Sequence, residues 1–363
     1  MREMKIETAS KTYPVYIGEA LFSALKGSFA KEWKRYSKLL VVTDEHVASL
    51  HREEMETFLS EVEQVSWFVT PNGEAAKTFS VYEAGITKAI EASLDRKSAL
   101  IAFGGGVIGD LGGMIAATYM RGIPFYQFPT TVLAHDSAVG GKVAINHPLG
   151  KNLVGNFYQP EAVVYDTNLL QTLPVREMRS GFAELIKHAL ISEQGFLNSL
   201  KEHFVSETDL YGKSLPLFLE KGISVKAEIV KQDETEQGVR AFLNFGHTFG
   251  HALEAFGNFE RFLHGEAIIY GMLYALRLSK KLLGLQFELA PFESWLVSLG
   301  YATKLPQDVA FEAIYHNMLH DKKTTFGEIT FVLLQDIGSL TLQTVDRDVL
   351  EETFIQFKEG GDA

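Results

Sequence analysis

Cysteine is absent from all 363 residues. That excludes disulfides, thiolate zinc sites, iron–sulfur clusters and cysteine nucleophiles, and it fits a reducing compartment. Positive charge is scarce: 34 Lys and Arg stand against 46 Asp and Glu, a formal charge of −12. Such a chain attracts neither nucleic acid nor anionic membranes as a general partner, although one local basic pocket is compatible with it. The opening residues, "MREMKIETASKTYPVYIG", lack the apolar run of a secretory signal. The one candidate membrane span, "ALIAFGGGVIGDLGGMIAATYM" (99–120), carries Asp110 near its middle and is interrupted by six glycines, so it reads as strand, loop and helix. Repeats and low-complexity segments are also missing. The expectation is a cytoplasmic globular protein, with a 46% hydrophobic fraction ample for a core.

What is present divides into two textures. Apolar, β-branched runs "KLLVVTDE" (38–45), "QVSWFVT" (64–70) and "SALIAF" (98–103) alternate with amphipathic stretches such as "VASLHREEMETFLSEV" and "SVYEAGITKAIEASL". Strands alternating with helices predict βαβ units and a parallel sheet covered on both faces. From about residue 168 the pattern turns helical: "FAELIKHALI" shows one apolar stripe, and "AIIYGMLYALRLSKKLLGL" is apolar nearly all round. Only "EITFVLL" (328–334) reads as a late strand. The fold class is therefore α/β, a Rossmann-like parallel-sheet N-terminal domain (1–167) followed by a mostly α-helical C-terminal domain (168–363), with ligands expected in the cleft between them.

Three groups of residues carry chemistry. "GGGVIG" (104–109) matches the glycine pattern of a dinucleotide turn, in which backbone N–H groups and a helix N-terminus meet a pyrophosphate. It does not sit in the first βα turn, and the region where an acid is expected, "GIPFYQFPTT", has none. Asp44, closing "LLVVTD", and Glu74 and Lys77 in "NGEAAK" are candidate acceptors and a cation at other strand ends. Second, lysines gather beside glycines in "HDSAVGGKVAINHPLGKN" (Lys142, then Lys151-Asn152). Further cations stand at Arg121, Lys187, Lys226, Arg240 and Lys322-Lys323, as a substrate with more than one anionic group requires. Third, "GHTFGH" puts His247 and His251 on one helical face, with His264 close behind in "FLHGEA". Imidazoles plus one carboxylate make a catalytic zinc set, and Glu184 and Glu266 are the candidate acids.

In order along the chain, "NGEAAK", "GGGVIGD", "YMRG", "PTT", "DSAVGGK", "NHPLGKN", "FYQP", "FAELIK", "LNFGHTFGHALE", "LHGEA" and "DKK" resemble the 3-dehydroquinate synthase family of sugar-phosphate cyclases. The resemblance implies a cytoplasmic homodimer using NAD and a divalent metal, zinc or cobalt. It assigns the metal to Glu184, His247 and His264, replacing the His247–His251 pair that spacing alone proposes. It assigns NAD to Asp44, Asn72, Glu74, Lys77, Gly105, Gly106, Val107, Asp110, Thr130, Thr131, Lys142, Lys151, Leu169 and Thr172. Lys142, Asn152, His251, Lys322 and Arg121 from the second subunit are implied to hold phosphate. Lys226 and Arg240 are implied to hold a carboxylate, and Asp136, Lys187, Glu236 and Asn244 to meet hydroxyls. "PTTVLAHDS" is one residue shorter than the form common in the family, which affects the placement of Asp136.

The implied substrate, 3-deoxy-D-arabino-heptulosonate 7-phosphate, carries both a carboxylate and a phosphate, matching the cations. The implied sequence is transient oxidation by NAD, phosphate elimination, return of the hydride and intramolecular aldol closure. Two other readings compete: a cyclase such as 2-deoxy-scyllo-inosose synthase, whose substrate lacks the carboxylate, and a polyol dehydrogenase of the glycerol dehydrogenase type. The paired Lys226 and Arg240 favour the acid; the phosphate-directed lysines disfavour the dehydrogenase.

Overall fold

The computed structural model describes residues 1–320 and 328–360. Two compact units emerge, Met1–Pro174 with Lys226–Thr235, and Val175–Val225 with Glu236–Ala363. The change of texture expected near residue 168 compares with a division after Pro174.

The first unit is built on seven strands: β1 (Arg2–Glu7), β2 (Thr12–Gly18), β3 (Leu39–Asp44), β4 (Val65–Thr70), β5 (Ala99–Gly104), β6 (Phe125–Pro129) and, after a hairpin described next, β9 (Ala162–Asp166). Their order is β1-β2-β9-β6-β5-β3-β4, with only the β1–β2 pair antiparallel. The continuous apolar runs follow from cover on both faces. Leu39, Val41, Ile101 and Phe103 pack with the helices Leu21–Trp33 and Glu45–Phe58, while Leu40, Val42, Leu100 and Ala102 pack with Ile108, Leu111 and Ile115 of the helix Gly106–Thr118. Each fully buried Leu, Ile or Phe is worth roughly 1.5–3 kcal/mol, so both faces stabilise the sheet.

β7 (Lys142–His147) and β8 (Gly150–Phe157) form a separate antiparallel hairpin. The lysine- and glycine-rich segment is thus ordered, as its apolar residues suggested: Val143 and Ile145 belong to the core beside the helix Gly106–Thr118.

The second unit is mainly helical. Its helix Val175–Ser192 is "FAELIKHALI" extended, and His264–Leu283 buries an uninterrupted run from Ala267 to Ser279, as its apolar sequence predicted. The late strand, β10 (Thr330–Asp336), has a partner that the sequence reading lacked, β11 (Ser339–Thr344). Among the described residues no helix is long and apolar enough to cross a membrane, consistent with the strand–loop–helix reading of 99–120.

Candidate active site

Sheet topology explains why the glycine turn is not the first one. β4 lies on one side of β3, and the chain then returns to place β5, β6 and β9 on the other. The direction of winding reverses between β3 and β5, and ligands of open α/β sheets bind beyond the carboxyl ends at that reversal. Asp44 ends β3, and Gly105-Gly106 follow β5. Thr130 and Thr131 follow β6, Leu169 and Thr172 follow β9, and Asn72 and Glu74 follow β4. Candidates scattered from Asp44 to Thr172 therefore share one sheet edge, in the order β9-β6-β5-β3-β4.

Local chemistry fixes several of them. The helix Gly106–Thr118 begins at Gly105 with no side-chain cap, so its first N–H groups are available to an anion. Asp44 Oδ1 accepts from the Val47 N–H at 2.8 Å and caps the next helix. Thr172 Oγ1 lies 2.8 Å from His51 Nε2. Lys77 is buried; its Nζ donates to Asp110 Oδ2 at 2.5 Å and also to Asn152 Oδ1. Asn152 N–H donates to Asn146 Oδ1 at 3.0 Å, and Asn146 Nδ2 to Glu74 Oε2 at 2.7 Å. Lys151 Nζ is 3.6 Å from Glu74 Oε1. One network thus joins the 73–77 turn, the β7–β8 hairpin and the central helix. Burial raises the Asp110 carboxyl above its usual range, against the pull of Lys77.

Elsewhere in this unit Lys226 is buried, with Nζ 3.0 Å from Asp136 Oδ2 and a further bond to the Asp136 carbonyl. Two residues assigned to different parts of the substrate, its carboxylate and its hydroxyls, are thereby brought together. Lys142 is exposed at the start of β7. Arg121 is also exposed and has φ 70°, next to Met120 at φ 50°.

The second unit holds the imidazoles. Glu184 projects from the helix Val175–Ser192 with 1% of its side chain exposed. Its Oε1 is 3.3 Å from His264 Nε2 and 3.6 Å from His247 Nε2, and its Oε2 pairs with Lys187 one helical turn on. Ligand atoms of Glu184, His247 and His264 all lie within 4.8 Å of one another. The His247–His251 pair proposed by spacing does not share that cluster; His251 groups instead with Glu254 and His264. Glu266, the other candidate acid, is turned away: it accepts from the Leu263 N–H at 2.9 Å and from Arg176 at 2.7 Å, capping the helix that His264 begins. Burial opposes a proton on His264, but bonds to Glu184 and Glu254 outweigh it and raise the imidazole pKa to about 10.

Close helix contact makes this convergence. A Cβ on Gly265 would fall 2.0 Å from the Ser180 carbonyl oxygen, and one on Gly271 1.8 Å from that of Gly246. Only glycine lets the helix His264–Leu283 approach both the Glu184 helix and the start of the His247 helix. Gly265 N–H also donates to Ser180 Oγ at 3.0 Å.

Arg240 and Lys187 are each 1% exposed, and Asn244 Nδ2 donates to Glu236 Oε1 at 3.1 Å. Lys322 lies outside the described residues. Glu254 is the residue that sequence reasoning missed. Its signal was present, seven positions after His247 on the same helical face.

Known proteins resemble this chain along its whole length. Family models described as 3-dehydroquinate synthase N-terminal and C-terminal match residues 67–180 and 181–324. A 3-dehydroquinate synthase of Listeria innocua is 60% identical over 363 residues, 100% of both chains. One from Bacillus pumilus is 48% identical over 359 residues, covering 99% of this chain and 98% of its own. A crystal structure of 2-deoxy-scyllo-inosose synthase complexed with carbaglucose-6-phosphate, NAD+ and Co2+ is similar at TM-score 0.89 and 26% identity, over 99% of each chain. Matched from end to end by relatives of that name, with the carboxylate and imidazoles of "FAELIK", "GHTFGH" and "LHGEA" drawn to one point, the chain belongs to the 3-dehydroquinate synthase family.

Proposed function

We propose that the chain converts 3-deoxy-D-arabino-heptulosonate 7-phosphate to 3-dehydroquinate and inorganic phosphate, as a cytoplasmic homodimer in the shikimate route to aromatic amino acids. One observation carries the reading: Glu184, His247 and His264 converge with ligand atoms within 4.8 Å. A carboxylate and two imidazoles, the ion displacing the extra proton that the carboxylates otherwise hold on His264, suit zinc or cobalt and leave positions for substrate hydroxyls. A metal so held would supply Lewis acidity and lower the pKa of the hydroxyl to be oxidised. NAD, bound by the strand-end residues from Asp44 to Thr172, would supply reversible hydride acceptance with no net redox change. The uncapped start of the helix Gly106–Thr118 at the winding reversal supports that site.

The chain's own groups bind and orient. Lys226 and Arg240 hold the substrate carboxylate; Lys142, Asn152, His251, Lys322 and the partner subunit's Arg121 hold its phosphate. Asp136, Lys187, Glu236 and Asn244 fix the hydroxyls, and Lys187 offsets the charge of Glu184. The substrate's phosphate accepts the proton lost when it departs, so no separate base is required. For the aldol closure, holding one conformer is worth up to roughly 7–11 kcal/mol. In this reading residues 1–167 form the nucleotide domain and 168–363 the metal and substrate domain.

Identity of 60% to a 3-dehydroquinate synthase, against 26% to the inosose synthase, supports the acid substrate. Steady-state kinetics on Lys226→Ala and Arg240→Ala test it: both should raise KM for the heptulosonate phosphate. Turnover of glucose 6-phosphate in its place, or NADH accumulating with glycerol, would assign the chain to another activity.

A further inference from the structure

We infer that Glu254 is a positioning residue for the metal, acting through His264. His264 stands between two carboxylates: its Nε2 is 3.3 Å from Glu184 Oε1, and its Nδ1 is 3.3 Å from Glu254 Oε1. The imidazole has two nitrogens, and Nε2 is the one that faces Glu184 in the Glu184–His247–His264 cluster. The other is left to donate its hydrogen to Glu254, which fixes both tautomer and ring orientation and makes the ligating nitrogen more basic. The placement follows from the fold. His247, His251 and Glu254 recur at positions i, i+4 and i+7 of the helix His247–Phe256, so they share its face, and His264 opens the next helix against that face. Glu254 has 12% of its side chain exposed, which strengthens a charge-assisted bond relative to one in water.

His247 is oriented differently. Its Nδ1 lies 3.2 Å from the carbonyl oxygen of Phe245, two residues earlier, a backbone acceptor that no substitution removes. Glu254 is therefore an outer-shell group of this cluster that mutation can reach, on the side of His264, as Lys187 is on the side of Glu184.

The inference rests on the metal reading of the Glu184 cluster, and the test separates the two. Cobalt affinity and stoichiometry are measured by chelator competition on the full chain, with the visible spectrum of the bound ion, for wild type, Glu254→Gln and Glu254→Ala. Far-ultraviolet circular dichroism verifies that each is folded. Loss of an outer-shell partner costs about 10–100-fold in metal affinity. The expected result is one ion per chain, a weakening in that range for Glu254→Ala with an altered spectrum, and a smaller weakening for Glu254→Gln, whose amide oxygen can still accept from Nδ1–H. Equal affinity and spectrum in a folded Glu254→Ala chain would overturn the inference while leaving the metal site intact. Two ions in wild type, one of them lost in Glu254→Ala, would make Glu254 a ligand with His251 instead. No cobalt uptake by wild type would overturn both readings.

Discussion

At the residue scale, the two acids considered for the metal set are separated by what each touches. Glu184 meets both imidazoles, while Glu266 is committed to Arg176 and a helix N-terminus. Glu184→Gln should therefore weaken zinc or cobalt binding by more than about a hundredfold, beyond the loss of an outer-shell partner. Glu266→Gln should leave it within a few-fold, and chelator competition measures both. Lys77 gives a second prediction. Removing one partner of a buried ion pair costs about 3–5 kcal/mol because the other charge is stranded. Lys77→Met, which leaves Asp110 behind, should lower stability toward that range, reduced by the partial exposure of Asp110, as read by urea denaturation. The sequence made most of these groups visible as residue types, but not their pairings. Asp136 with Lys226 and Lys77 with Asn152 are contacts across 90 and 75 positions, and no periodicity reports such distances.

At the element scale, strands and helices were legible wherever apolar period and length agreed. β3, β4 and β5 begin and end within about a residue of the runs read from the sequence. The β7–β8 hairpin was not, because its turn "HPLG" carries none of the Asn-Gly or Asp-Gly signals, and Gly150 and Gly155 fall within β8 itself. The i,i+4 histidine pair misled for a related reason. Spacing detects a shared face within one helix, whereas His264 reaches the cluster from the start of the next helix, across a contact that Gly265 permits. Gly265→Ala should force that helix from Ser180, costing about 1–3 kcal/mol as overpacking does and weakening metal binding more than a surface substitution of equal cost. The helix cap carries a pH dependence. Burial works against ionisation of Glu266, but Arg176 and the Leu263 N–H outweigh it and hold its pKa below the ordinary 4.5. A carboxyl depressed on folding contributes stability that is fully present above its unfolded value and lost as pH falls through the folded one. Wild type should thus lose this contribution below about pH 4.5, and Glu266→Gln should show a shallower decline of Tm over the same interval.

At the scale of the whole molecule, the sequence carried the α/β class and the family resemblance, while the sheet order came only from the structure. That order accounts for an anomaly of the sequence, a dinucleotide-like glycine turn after β5, the fourth parallel strand in chain order, since the winding reverses between β3 and β5. It also brings the candidate nucleotide residues to one edge. The central claim is that a chain with this edge and this carboxylate–imidazole cluster runs a redox-neutral phosphate elimination. Phosphate and NADH followed together, with the heptulosonate phosphate in large excess over NAD, test it most directly. The account predicts many phosphates released per NAD with no net NADH, cessation on chelation and recovery with cobalt or zinc. NADH rising in step with substrate consumption, or phosphate release unaffected by chelation, would contradict it.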